Sequence, residues 1–116
     1  MSIIGIDGVT FGVTNKVSAA KFLKHWGLKK IKSGGYGENF ISTDGTEINF
    51  RDHKSKILPK AIRSGSTVRE VIWGVQRQSD LKAIEKELSK DRPVKVLKNN
   101  SLQTFDDMGL GIGFRI

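Results

Sequence analysis

The chain begins with a segment in which apolar residues alternate with small or polar ones. Over residues 4–13, Val9, Phe11 and Val13 fall on one face of an extended backbone. The other face carries Gly8, Thr10 and Gly12. Because successive side chains of a strand point to opposite faces, this pattern predicts a β-strand with one apolar face.

Helical spacing follows this strand. Thr14 and Asn15 have the side-chain oxygens that commonly cap the start of a helix, and Gly27 is a residue type that commonly ends one. Between them, apolar residues recur at intervals of three and four, which predicts one buried stripe. The stripe consists of Ala19, Phe22, Leu23 and Trp26.

Three short strands are predicted after the helix, at about residues 28–32, 39–43 and 46–51. Asp44-Gly45 predicts a tight hairpin turn between the last two. The glycine-rich segment 33–37 predicts a mobile hairpin or lid, and Tyr36 within it is a candidate ligand contact.

The same order of elements then occurs again. A strand is predicted at 68–75, a helix capped by Ser79 or Asp80 with a core stripe of Leu81, Ile84 and Leu88, and strands at 94–97, 102–105 and 109–116. The heptapeptide GTEINFR of the first half returns as GLGIGFR in the second. We therefore predict one α+β domain of two tandem βαβββ modules, at about 1–55 and 68–116. A linker at about 56–67 joins them, and both helices cover the convex face of a curved mixed sheet.

Strand alternation divides the side chains between the two faces of this sheet. The helix-facing set is Val9, Phe11, Val13, Ile48, Phe50, Val71, Trp73, Val75, Ile112 and Phe114. The predicted ligand-binding residues of the concave face are Thr10, Glu47, Asn49, Arg51, Glu70, Ile72 and Arg115. Five glycines on that face, Gly8, Gly12, Gly74, Gly111 and Gly113, would leave room for a bulky flat ligand.

The charged residues of the concave face each allow two interpretations. Glu70 is either a lone functional carboxylate or the partner of Arg51, Arg115 or Arg69. Arg51 and Arg115, which the repeat relates, either clamp an anion together or lie in solvent at the sheet edge. The acidic pair 106–107 is predicted to serve a turn rather than a metal.

Composition narrows the function classes. The net charge is +8, but most lysines fall on predicted helix surfaces and in the linker, without interleaved aromatic residues, so we predict no nucleic-acid partner. No apolar run approaches the roughly 18 residues of a membrane span, and the start lacks the pattern of a signal peptide. The chain has no cysteine and no nucleophile motif. These features predict a cytoplasmic protein without a membrane partner.

Two segments carry a resemblance to a known superfamily. The first half opens with IDGVTFGV at residues 6–13, and the second closes with FDDMGLGIGF at 105–114. Within a paired βαβββ repeat, these segments resemble the vicinal oxygen chelate superfamily of glyoxalases, bleomycin-resistance proteins and extradiol dioxygenases. The resemblance covers nearly the whole chain.

The resemblance implies where metal ligands would stand. Metal-dependent members carry them on the first and last strand of each module, in motifs such as IDHV and GxxIEF. The corresponding positions here are Gly8, Asn49, Glu70 and Gly113. One carboxylate and one amide fall short of the three or more His and carboxylate donors that such a metal needs, so we predict no metal and no cofactor.

Three functions remain open from the sequence. The first is the non-catalytic amino-terminal domain of a two-domain, extradiol-dioxygenase-like enzyme. The second is a metal-independent small-molecule binding protein of the bleomycin-resistance type, and the third is a stand-alone glyoxalase-like metalloenzyme. The corresponding partners are a small-molecule ligand and either a second copy of the chain, as a homodimer, or a second domain of the same protein.

Overall fold

A computed structural model describes residues 2–31 and 37–116. In those residues it has eight strands and two helices, in the predicted βαβββ order and its repeat. The first module contains β1 (Ile3–Val13), α1 (Lys16–His25), β2 (Lys29–Ile31), β3 (Glu38–Ile41) and β4 (Glu47–Asp52). The second contains β5 (Thr67–Val75), α2 (Gln78–Leu88), β6 (Lys95–Val96), β7 (Leu102–Phe105) and β8 (Gly111–Arg115). The predicted lid and Tyr36 lie outside the described residues, apart from Gly37.

All eight strands form one mixed sheet, with the order β2-β3-β4-β1-β5-β8-β7-β6. The first strands of the two modules lie side by side at its centre, antiparallel, with Val9 opposite Val71. Each also pairs in parallel with the last strand of its own module, β1 with β4 and β5 with β8. The two modules therefore pair within one chain. One mixed sheet with two helices confirms the α+β prediction.

Each helix packs on its own module and buries a separate apolar cluster. Around α1 the cluster includes Leu23, Phe40 and Phe50, and around α2 it includes Leu81 and Phe114. Ile48 packs on the first cluster and Ile112 on the second, and the ladder joins them through the paired residues Val9 and Val71. Because paired residues share a face, both helices cover the same face of the sheet. Neither helix in the described part of the chain is long and apolar enough to cross a bilayer.

The predicted stripe on α1 is partly wrong. Leu23 is buried, but Phe22 is 55% exposed and Trp26 is 72% exposed, and their rings lie against each other with centroids 5.1 Å apart. Ala20, rather than Ala19, is the buried alanine. Ala19 packs against the same cluster but is only partly buried, so Ala19 and Leu23 of the predicted stripe contact the core while Phe22 and Trp26 do not. Trp73, by contrast, packs against the α2 cluster as predicted.

The sequence predicts the start of α1 and the turn at Asp106 correctly, but not the start of α2. The Asn15 side chain accepts a hydrogen bond from the Ser18 amide at 3.0 Å, as a cap should. For α2 the prediction is wrong, because Arg77 occupies the cap position and Asp80 lies in the first turn. The predicted turn role of the acidic pair 106–107 is found in Asp106, whose Oδ1 accepts from the Met108 and Leu110 amides.

Candidate functional site

A cavity of about 270 Å³ lies on the face of the sheet opposite the helices, and we call it the polar cavity. All seven residues that the sequence predicts for ligand binding line it: Thr10, Glu47, Asn49, Arg51, Glu70, Ile72 and Arg115. Five further residues complete the wall: Asn39, Ile57, Leu58, Pro59 and Gln103. Both modules and the linker therefore contribute to one site.

Arg115 is the charged centre of this cavity. Its Nη2 donates to Glu47 Oε2 at 2.8 Å, and its Nε donates to Asp7 Oδ2. Glu47 lies on β4 and Arg115 on β8, with two strands between them, so the contact spans roughly 14 Å of sheet. A sheet that curves toward this face allows the two side chains to meet.

Asp7 reaches Arg115 because of an irregularity in β1. The register between β1 and β5 shifts between Ile6 and Gly8, leaving Asp7 as an extra residue in the ladder. Strict alternation would place Asp7 on the same side as Val9, and sequence reasoning missed it for that reason. A bulge of this kind commonly re-aims a side chain.

The Arg115 guanidinium lies next to Gly8, within van der Waals contact of the place where a side chain would start. A Cβ placed on Gly8 would lie 3.4 Å from Arg115 Nη2 and 3.5 Å from the Glu47 Cβ. The position at which the superfamily pattern carries a histidine is therefore next to a guanidinium. The positively charged Arg115 side chain therefore lies beside the position that carries a metal ligand in the superfamily pattern.

Glu70 is deeply buried, with 9% of its surface exposed. Burial raises the pKa of its carboxyl, and a hydrogen bond from Gln103 Nε2 at 3.2 Å and the charge of Arg115 oppose that rise. No ion pair of Glu70 is found among the described residues. The Arg115 guanidinium bonds directly to Asp7 and Glu47, and its charge acts on Glu70 without a direct ion pair.

The two repeat-related arginines have different partners. Arg51 Nη1 donates to Asn39 Oδ1 at 2.7 Å and to the Phe50 carbonyl at 2.9 Å. Arg115 bonds to two carboxylates, so its charge is already balanced. Both side chains line the polar cavity rather than lying free at a sheet edge, and a symmetric anion clamp is not formed.

The linker between the modules is a wall of the site. Arg69, only 6% exposed, holds it there: Nε donates to the Pro59 carbonyl at 2.7 Å and Nη1 to the His53 carbonyl at 2.9 Å. Arg69 is an extra residue in β5, where the register shifts opposite Thr10 and Phe11. The sequence indicates a linker in this region but gives no sign that it folds back onto the sheet.

The glycines of the concave face do not leave the open space that the sequence suggests. A Cβ on Gly12 would lie 2.7 Å from Arg69 Nη1, and one on Gly111 would lie 2.5 Å from Pro59 Cβ. A Cβ on Gly113 would meet Ile72 at 3.2 Å and Glu70 at 3.3 Å. The chain fills most of this room itself, and the remaining cavity is small and polar.

The four superfamily ligand positions do not fit a catalytic metal. Gly8 and Gly113 have no donor, and Asn49 and Glu70 offer one amide and one carboxylate. Among residues 2–31 and 37–116, no group of three or more His, Cys, Asp or Glu side chains is arranged to hold a metal ion. The two histidines lie elsewhere. His53 Nδ1 is 3.5 Å from Asp52 Oδ1 and the His53 carbonyl accepts from Arg69, while His25 is the last residue of α1.

Comparison with known proteins supports the fold. No protein-family model and no curated protein matches this sequence. The Mn(II)-bound glyoxalase from Novosphingobium aromaticivorans superimposes with a TM-score of 0.75 at 14% identity, covering 97% of this chain and 38% of that one. An extradiol ring-cleaving dioxygenase from B. fuscum gives 0.76 at 12% identity, covering 97% and 32%. Methylmalonyl-CoA epimerase from Mycobacterium tuberculosis gives 0.66 at 12% identity, covering 97% and 87%.

These similarities establish that the chain has the vicinal oxygen chelate fold, as the sequence resemblance implied. The chain spans 38% of the glyoxalase and 32% of the dioxygenase. Sequence identities of 12–14% show a shared fold, but they do not show a shared activity.

Proposed function

We propose that this chain is a vicinal oxygen chelate domain without a catalytic metal, and that it forms the non-catalytic amino-terminal half of a two-domain, extradiol-dioxygenase-like enzyme. The observation that carries the proposal is the position of Arg115. Its guanidinium lies against Gly8, at the start of the superfamily metal site, and is held there by Asp7 and Glu47.

The electrostatics of this arrangement oppose a divalent cation. Arginine remains charged at every accessible pH, so the guanidinium repels a metal ion placed a few ångströms away. The guanidinium also forms ion pairs with Glu47 and Asp7, so these two carboxylates already have a counter-charge. Glu70 is then the one carboxylate left at a superfamily ligand position, and a single carboxylate falls short of the three or more donors that such a metal needs.

The lengths of the structural relatives support the two-domain interpretation. The chain superimposes on 38% of the glyoxalase and 32% of the dioxygenase with TM-scores of 0.75 and 0.76. It superimposes on 87% of the epimerase with a lower TM-score of 0.66. In the proposed enzyme a second domain would perform the chemistry. This domain would serve as a scaffold, an interface between domains or copies, and one wall of the neighbouring active site.

The polar cavity favours a second candidate, a metal-independent small-molecule binding protein. Both modules direct polar side chains into its 270 Å³, and the linker closes it with Ile57, Leu58 and Pro59. Asn49, 5% exposed, also has a buried Oδ1 without a hydrogen-bond partner in the described structure. A stand-alone glyoxalase-like metalloenzyme has the least support, because the donor set and Arg115 both oppose the metal.

Elemental analysis distinguishes these functions. The purified chain would be incubated with Fe(II), Mn(II) or Zn(II), desalted, and measured for metal content and solution mass, with catechol ring cleavage followed in parallel. We expect metal far below one ion per chain, no ring cleavage and a monomer. Stoichiometric metal would overturn the proposal, and a stable dimer that retains a small molecule through purification would favour the binding protein.

A further inference from the structure

A second and larger cavity lies beside the polar cavity, on the other side of Pro59 and Gln103. Its volume is about 500 Å³. Pro59 and Gln103 line both cavities and so form the partition between them. The other residues around it are Lys60, Pro93, Lys95, Thr104, Phe105 and Gly109, and we call it the lysine cavity.

The wall of the lysine cavity is largely apolar. Phe105 is 42% exposed, although Leu102 and Thr104 of the same strand are 3% and 6% exposed. The Thr104 hydroxyl donates to the Pro93 carbonyl at 2.9 Å, so it is already bonded within the protein. A phenylalanine face and two proline rings around a pocket of this size form a surface suited to a small apolar ligand.

Two ammonium groups give this apolar pocket a charge preference. Lys95 lies opposite Gln103 in the β6–β7 ladder, which places both residues on the same face of the sheet. Neither Lys60 nor Lys95 forms an ion pair with any of the described residues. Of the acidic side chains near this end of the sheet, Asp91 and Asp107 are bonded to Arg92, and Asp106 accepts hydrogen bonds from the Met108 and Leu110 amides of its own turn.

We infer that the lysine cavity binds small apolar carboxylates, such as aromatic or short acyl acids. Such a ligand would lay its apolar part against Phe105 and direct its carboxylate to Lys60 and Lys95. A neutral apolar ligand would leave both ammonium groups without a counter-charge, and a cation would be repelled. Inorganic phosphate has no apolar part to occupy the rest of the pocket. This inference is independent of the proposed function, because it concerns neither the metal positions nor the polar cavity.

Amide chemical shifts of the ¹⁵N-labelled chain would test the inference, with phenylacetate and hexanoate as probes and phenylacetamide and hexanamide as matched neutral compounds. We expect saturable shifts at Thr104 and Phe105 with the acids. The double variant Lys60→Ala/Lys95→Ala should weaken acid binding by about tenfold or more, since it removes charge-assisted hydrogen bonds. The control double variant Lys86→Ala/Lys98→Ala removes the same charge at positions outside the pocket lining and should change binding by less than about twofold.

Four results would overturn the inference. The first is the absence of saturable shifts, and the second is equal affinity for acids and amides. The third is an equal loss in both double variants, which would assign the binding to the overall positive charge of the chain. The fourth is a shift pattern centred on Asn49 and Arg115, which would place the acids in the polar cavity.

Discussion

Replacing Arg115 with alanine tests the electrostatic centre of the polar cavity directly. The change removes the one cation that contacts Asp7 and Glu47 in the described structure and leaves two carboxylates close together without a counter-charge. The side chains are partly buried, at 25% exposure for Arg115, 39% for Asp7 and 27% for Glu47. Exposed ion pairs contribute about 0–1 kcal/mol, and breaking a fully buried one costs about 3–5 kcal/mol. We therefore expect a loss of about 2 kcal/mol in the free energy of unfolding.

Urea unfolding at pH 7, followed by tryptophan fluorescence, would measure this loss. The matched control is Arg63→Ala, which removes an equal charge from an exposed linker position without a described ion pair and should change stability by less than about 0.5 kcal/mol. Adding Glu47→Gln to Arg115→Ala should recover part of the loss, because it removes one of the two unpaired carboxylates. Equal effects of the Arg115 and Arg63 variants, or no recovery in the double variant, would refute the assignment of Arg115 as an internal cation.

Four further outcomes follow from the same contacts. Because burial raises the pKa of Glu70 above its ordinary value of 4.5, its proton stabilises the fold below that pH and the benefit is lost as pH rises through the folded pKa. Glu70→Gln should therefore be more stable than the parent at pH 7.5 and equal to it near pH 4 in urea titrations; a difference independent of pH would contradict this. Glu70→Ala should leave the metal content unchanged in elemental analysis, and a drop would show that the donor count is wrong. Phe50→Ala and Phe114→Ala should each cost about 3–5 kcal/mol in urea unfolding, whereas the exposed Phe22→Ala should cost less than about 1 kcal/mol; three similar values would undermine the assigned faces. Arg69→Ala should release the linker and speed proteolysis between β4 and β5, and an unchanged cleavage rate would argue against its role as the anchor.

The order of the strands along the chain and the faces of their side chains could be predicted because they depend on local periodicity. The alternation that places Glu47, Asn49 and Arg51 together on one face also places them along one wall of the polar cavity. The choice of ion-pair partner could not be predicted in this way. It depends on the strand order β4-β1-β5-β8 and on the curvature that brings Arg115 to Glu47. The composition of a strand contains neither piece of information.

The two bulges account for what alternation missed at the site. Asp7 and Arg69 are each an extra residue in their ladder, and each is turned toward the concave face against the pattern of its neighbours. A strand sequence with one additional residue looks regular until its partner is known. For the same reason the sequence indicates the linker but not its position, since that position depends on the Arg69 guanidinium.

The two bulge residues also explain why a repeated sequence builds an asymmetric site. Since Gly8 corresponds to Glu70 in the repeat, Asp7 corresponds to Arg69, and the charge at this position is inverted between the modules. In the first module the acid at this position binds Arg115 of the second module. In the second module an arginine at this position cannot bind Arg51, the counterpart of Arg115, because both are cations. Arg69 instead binds linker carbonyls, and a linker that occurs once in the chain can cover one half of the sheet but not both. Reversing this charge, by Arg69→Asp, should therefore release the linker from the sheet. Faster proteolysis between β4 and β5 in that variant would show that the inverted charge holds the linker over one half of the sheet, and an unchanged cleavage rate would show that it does not.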